Sequence, residues 1–410
     1  MPASVRIPGL VLTEHEFTVP LDHGNPDGEQ LTVFAREVTE PGGGTGLPYL
    51  VFLQGGPGQE APRPMGATGW LGRAVRDYRV LLLDQRGTGN STPVGTLAGR
   101  TPADQAEYLS HFRADSIVRD AELIRQRLGV DRWSLLGQSF GGFTALAYLS
   151  TAPEGLLEVF FTGGLPPIGR HPDEVYEATY RTVLERNRRY YRRYPEDRDR
   201  VRKLHDRLEA GELTLPGGTP ITSRLFRQLG SALGMSDGAE NLHYLLERDP
   251  ESPAFRHDVA TMLPFSARNP LYVVIHEASY ADGRATRWSA QRTRPAEFDD
   301  DPTLFTGEHV FPWMFTDLPG LAPLGEAAEL LAEREWPRLY DAEVLSRCEV
   351  PCAAAIYAED AYVDLRFSEE TAALIPTMRP WVTNEYEHNG LRAAGDHVLG
   401  RLIDLTRGRA

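Results

Sequence analysis

Lysine is almost absent from this chain. Lys203 stands alone among 410 residues, and arginine supplies the rest of the 43 basic side chains. Asp and Glu together number 58, leaving a formal charge of −15 at neutral pH. Such a balance argues against a nucleic-acid partner or an anionic membrane surface. The preference for arginine reflects coding bias rather than chemistry. Cysteine is scarce too: Cys348 and Cys352 are the only two. They flank Glu349-Val350-Pro351, which is neither a C-x-x-C motif nor half of a four-ligand zinc set. We read them as small buried thiols at the entry to a strand. No stretch of 18 or more apolar residues occurs, which excludes a membrane-spanning helix. Met1 to Pro8 lacks the basic-then-apolar pattern of a secretory leader, so a cytoplasmic location is expected. Repeats and low-complexity tracts are also missing.

What is present is ordinary in bulk and specific in detail. A 41% hydrophobic content over this length suits one large domain or two. Thr13–Leu21 and Gln30–Glu37 alternate like a hairpin around the turn-forming His23-Gly24-Asn25-Pro26-Asp27-Gly28. Leu47–Leu53, Tyr78–Leu83, Trp133–Leu136 and Leu157–Thr162 are short apolar runs suited to buried strands, and Ser116–Leu128 has apolar residues at helical spacing. This alternation predicts an α/β fold, a mostly parallel sheet with helices on both faces.

After Gly163 the pattern turns helical. Glu174–Tyr194, Asp197–Glu209, Ser223–Leu233 and Asn241–Glu247 are the expected helices, the first two rich in arginine and tyrosine. The arginine run reads as a solvated helix face. Alternation resumes with a strand at Cys352–Tyr357, a helix at Ser368–Ile375, a strand at Pro380–Tyr386 and a closing helix at Gly395–Thr406. The expected organisation is a core in two parts, 1–165 and 339–410, interrupted by a mainly helical cap at 166–338.

The chemistry gathers after the strands, where functional groups of an open parallel sheet collect. Gly137-Gln138-Ser139-Phe140-Gly141 lies between an apolar strand and a helix of small residues. A serine at such a turn is exposed as a nucleophile, provided a base and an orienting acid follow in the order Ser, acid, His. Asp360 lies just beyond the strand ending at Tyr357 and is the favoured acid, with Glu359 and Asp364 as alternatives; Asp364 also suits a helix cap. His388 lies just beyond the last strand, whereas His397 falls within the closing helix. Gln54-Gly55-Gly56-Pro57-Gly58 ends another strand, and the N–H groups of Gly56 and Phe140 are candidate oxyanion donors. A phosphate loop is disfavoured, since no G-K-[ST] follows and Pro57 removes a donor. No cofactor and no metal are expected.

Gly55-Gly56-Pro57-Gly58, Asp84-Gln85-Arg86-Gly87-Thr88-Gly89 and Gly137-Gln138-Ser139-Phe140-Gly141-Gly142 together resemble the proline iminopeptidase family of α/β-hydrolase serine peptidases. The resemblance spans nearly the whole chain. It implies an α/β-hydrolase fold and release of N-terminal proline, or another small residue, from short peptides through an acyl-enzyme. By motif position Ser139, Asp360 and His388 match nucleophile, acid and base. Gln54 departs from the histidine that many members carry there, and the insertion is long. Family members hold the substrate amine with cap carboxylates, for which Glu277, and secondarily Glu308, are the matching positions. Tyr280, Phe311 and Trp313 are candidates for a pyrrolidine pocket. An esterase or amide hydrolase, or a degenerate ligand receptor on the same scaffold, are the alternatives. Short peptides with a free N-terminus are the expected partners.

Overall fold

The computed structural model describes residues 4–410 apart from Gly43 and Thr45. One nine-stranded sheet organises the chain. Its strands are β1 (Ser4–Ile7), β2 (Leu10–Pro20), β3 (Gln30–Thr39), β4 (Tyr49–Leu53), β5 (Arg79–Asp84), β6 (Trp133–Gln138), β7 (Leu156–Thr162), β8 (Cys352–Tyr357) and β9 (Met378–Thr383). The spatial order is β1-β2-β3-β5-β4-β6-β7-β8-β9. The first three strands and β5 pair antiparallel, in a register that sets Phe17 opposite Val33. All pairings from β5 through β4 to β9 are parallel.

The apolar runs are continuous because both faces of these parallel strands are covered. Side chains alternate between faces, so Val51, Leu53, Leu81 and Leu135 enter one core while Leu50, Phe52, Leu82 and Leu136 enter the other. Helices Ala114–Arg127 and Phe140–Thr151 cover the first face, through Ile117, Ala121, Ile124 and Leu146. Helices Gly69–Ala74 and Gly395–Thr406 cover the second, through Leu71, Leu399, Leu402 and Ile403.

Several elements differ from the sequence reading. β1 was not expected, being four mostly exposed residues paired only to β2. The last strand begins two residues earlier than predicted, because Met378 aligns with Cys352 at the start of β8. As an edge strand β9 tolerates Pro380, whose missing N–H need not face a partner.

Between β7 and β8 the chain forms helices, led by Pro172–Arg193 and Pro195–Glu209. Much of this segment has its own core, in which Tyr190, Leu204, Leu242, Phe255 and Phe305 meet. The predicted helix at Ser223–Leu233 divides into an α-helix, Ser223–Arg227, and a 3-10 helix, Gln228–Gly234. Among the described residues no helix is long and apolar enough to cross a membrane.

Candidate active site

Ser139 sits between β6 and the helix that starts at Phe140, with φ 53° and ψ −124°. Positive φ is strained for a residue with a side chain, and it turns the hydroxyl away from both flanking elements. The turn needs glycine on either side. A Cβ at Gly137 would press on Gly141 O, and one at Gly141 would overlap Leu53 O of β4. The strain at Ser139 is therefore held by packing against the sheet.

The structure brings Ser139, His388 and Asp360 into one hydrogen-bonded chain. His388 Nε2 lies 2.9 Å from Ser139 Oγ, and His388 Nδ1 lies 2.7 Å from Asp360 Oδ2. Asp360 is buried, and its other oxygen accepts the N–H groups of Tyr362 at 2.8 Å and Val363 at 3.0 Å. The ring of Tyr362 lies against His388, with centroids 4.5 Å apart. Burial opposes a charge on His388, but the charge and hydrogen bond of Asp360, with the charge of Glu308, outweigh it and raise the imidazole above its ordinary value.

The alternatives to Asp360 and His388 lie elsewhere. Glu359 is half exposed and pairs with Arg186 and Arg189. Asp364 caps the helix Leu365–Leu374 by accepting the Arg366 N–H at 3.0 Å. His397 is exposed, its ring edge-on to Trp381.

Gly55 packs against Ser139, where a Cβ would come within 2.9 Å of the Ser139 Cβ. Its N–H is taken by the Gln54 side chain at 2.9 Å, and Gln85 Nε2 donates to Gln54 O. Gln54 thus satisfies its own loop. Among the described residues, the N–H groups of Gly56 and Phe140 have no acceptor. The Asp84–Gly89 segment is scaffold by its contacts. Arg86 is fully buried, paired with Asp120 at 2.5 Å, and donates to the carbonyls of Pro20, Leu21 and His111. Asp84 accepts Arg63, Ala61 N and Asn90 N.

Glu308 and Glu277 are both held in the helical segment but in different surroundings. Tyr272 OH donates to Glu308, and His276 Nε2 lies 4.0 Å away. Burial raises the Glu308 carboxyl to about 7, partly offset by the Tyr272 hydrogen bond and the charge of His388. Glu277 spends its two oxygens on the N–H groups of Ser289 and Ala290, at 3.0 and 2.8 Å. Burial raises it to about 7 as well, against those hydrogen bonds. Glu308 feels the charges of His388 and Asp360, whereas the groups acting on Glu277 are Ala290, Thr286, Ser289 and Arg292. Glu277 is thus engaged by nearby backbone, whereas Glu308 is held by Tyr272 and lies within reach of the charge on His388.

Of the three aromatics, Tyr280 is the one tied to this region. Its hydroxyl donates to Tyr362 O at 3.3 Å, and its ring meets Phe143 and Tyr176 edge-on. Phe311 and Trp313 stack on each other and line a separate cavity of about 240 Å³ with Arg224, Arg227 and Arg294. A larger cavity, about 680 Å³, opens at the amino ends of β7 and β8 beside Cys348, the sheet end away from Ser139. Both cysteines are buried and unpaired, their thiols turned toward Val350 O. Glu196, Asp197 and His243 offer ligand atoms within 4.8 Å of one another. Asp197 already binds Tyr190 OH, Arg200 and His243, which accounts for the cluster as an ion-pair network.

Residues 48–207 match the family described as alpha/beta hydrolase fold. The chain is 48% identical to a proline iminopeptidase of Aeromonas sobria, over 99% of each chain. It is 35% identical to a proline iminopeptidase of Aspergillus aculeatus, over 98% of this chain and 95% of that one. A shorter match, 37% identical, links 28% of this chain to 31% of a proline iminopeptidase of Xylella fastidiosa.

Proposed function

The chain belongs to the proline iminopeptidase family of α/β-hydrolases, and on that premise we propose how its residues release proline from the N-terminus of short peptides. The observation that carries the proposal is the chain of hydrogen bonds from Ser139 through His388 to Asp360. Neutral His388 accepts the Ser139 proton as the hydroxyl attacks the first peptide carbonyl. The N–H groups of Gly56 and Phe140 stabilise the oxyanion. His388 then protonates the leaving amine, and water, activated by the same imidazole, hydrolyses the prolyl-enzyme. Asp360 fixes the tautomer, since Oδ2 accepts the Nδ1–H of His388 while two backbone donors hold Oδ1 in place.

The substrate's secondary ammonium must lose its water inside the protein, which demands a negative partner. Glu308 fills that role, being largely buried and within the electrostatic reach of His388. An arriving ammonium favours the carboxylate and draws its pKa back down. Glu277 instead holds the backbone at Ser289 and Ala290. Residues 166–338 act as a cap over a core formed by 1–165 and 339–410, a reading supported by the run of helices between β7 and β8. The unpaired thiols suit a reducing cytoplasm.

Ser139→Ala is expected to abolish turnover of proline anilide while leaving the fold intact. Wild type is expected to hydrolyse proline anilide but not its N-acylated form, which has no ammonium to pair. Unchanged turnover by homogeneous Ser139→Ala, or equal rates on the blocked substrate, would refute the corresponding part.

A further inference from the structure

The long helix Pro172–Arg193 carries a row of arginines, of which Arg181, Arg188, Arg189, Arg192 and Arg193 are exposed. Arg186 is the exception. Its side chain is only 7% exposed. Burying a guanidinium is costly unless its donors are matched, and here they are matched in a particular way. Nη1 donates to Glu387 Oε1 at 2.9 Å and to Glu359 Oε2 at 3.3 Å. Nη2 donates to the second Glu387 oxygen and to the backbone carbonyl of Glu359. Glu359 directly precedes Asp360, and Glu387 directly precedes His388. One planar fork therefore bridges the loops that bear the acid and the base.

Neighbouring groups reinforce the bridge. Arg189 Nη1 lies 2.5 Å from Glu359 Oε2. The His388 N–H donates to Gly234 O at 3.1 Å, and Asn389 Oδ1 accepts both the N–H and the hydroxyl of Ser236. Tyr362 OH donates to Ser231 O. The loops after β8 and β9 are thus tied to the helical segment on both sides of the His388–Asp360 bond.

We propose that Arg186 is a positioning residue, which sets the spacing and alignment of Asp360 and His388 by clamping the residues that precede them. The proposal rests on the reading of Ser139, His388 and Asp360 as the catalytic chain. It assigns to a cap residue a role in the chemical step, without contact to substrate. Arginine is required because lysine offers a point charge and cannot span two loops with one rigid group.

The test compares Arg186→Gln, Arg186→Lys and Glu387→Gln with wild type and with Ser139→Ala. Readouts are kcat and KM on proline anilide, the rate of fluorophosphonate labelling of Ser139, and the low-field proton resonance of His388 Nδ1–H. Arg186→Gln is expected to lower kcat and the labelling rate about tenfold to a hundredfold, with KM within about twofold. The resonance should shift or broaden, and Arg186→Lys should recover only part of the loss. Glu387→Gln keeps the side-chain shape and releases one arm, so a smaller fall in kcat is expected; it also serves if Arg186→Gln does not fold. A fall in melting temperature with wild-type kcat, labelling and resonance in the folded variants would overturn the proposal. Activity in Ser139→Ala would instead overturn the catalytic reading, so the two failures are distinguishable.

Discussion

Asp360→Asn changes one atom, and the surrounding donors dictate how the new amide must lie. In wild type Oδ1 accepts two backbone N–H groups, from Tyr362 and Val363, while Oδ2 lies 2.7 Å from His388 Nδ1. An asparagine that keeps its oxygen toward the two backbone donors presents its NH₂ to His388. Nδ1 must then accept, and the ring proton moves to Nε2, facing Ser139 Oγ. In that tautomer His388 cannot take the serine proton. The opposite rotamer restores the tautomer but sets NH₂ against two buried N–H groups. Leaving those donors unsatisfied costs about 1–3 kcal/mol each. The inactive arrangement is therefore favoured by about 2 kcal/mol at the least, a population bias of roughly thirtyfold. Loss of the charge that stabilises the imidazolium adds to this. A total fall in kcat of about 10⁴-fold is expected, or about 5 kcal/mol, with little change in KM. Initial rates on proline anilide, normalised to folded protein by circular dichroism and gel filtration, measure it. A kcat within tenfold of wild type in a homogeneous sample would refute the argument.

Three further outcomes are expected from the electrostatics and the packing. His388 is raised above its ordinary value and must be neutral to act, so kcat/KM should fall as pH drops through a midpoint above about 6.5. Glu308, raised to about 7, titrates in the same range; Glu308→Gln should leave a shallower acid limb with a lower midpoint, since a negative neighbour of His388 is gone. An unmoved midpoint in the pH profile would count against that coupling. Arg86→Met leaves the buried Asp120 carboxylate with only the His23 imidazole as a side-chain partner and should cost about 3 kcal/mol in urea unfolding. The folded fraction should retain its kcat, because the contacts of Arg86 are to the scaffold; a stability within 1 kcal/mol of wild type would contradict the buried pairing.

Much of the core was readable in the chain because local pattern and tertiary role coincide there. β4 and β8 are buried on both faces, so their apolar runs are continuous, and the elbow shows itself by glycines whose absent side chains are needed for contact with β4. The helical segment was less legible. Its burial comes from long-range packing, so the arginine run conceals one buried residue at Arg186 among exposed ones, a difference that charge spacing could not reveal. Glu277 lies in a segment that attracts attention by sequence, yet its oxygens are consumed by nearby backbone. Glu308 had the weaker signal and has the closer electrostatic tie to His388.

The order of strands and helices and the glycine-bounded turn at Ser139 are properties of the sequence by itself, because each depends on steric and hydrophobic preferences of neighbouring residues. The choice of Asp360 over Glu359 and Asp364 belongs to the tertiary structure. All three acids lie within seven residues of one strand end, and only the fold aims one carboxylate at His388 while the helix Pro172–Arg193 engages Glu359 and a local helix engages Asp364. Scarce lysine and surplus acid described the surface; the few arginines that went inside needed the folded chain to show what they hold.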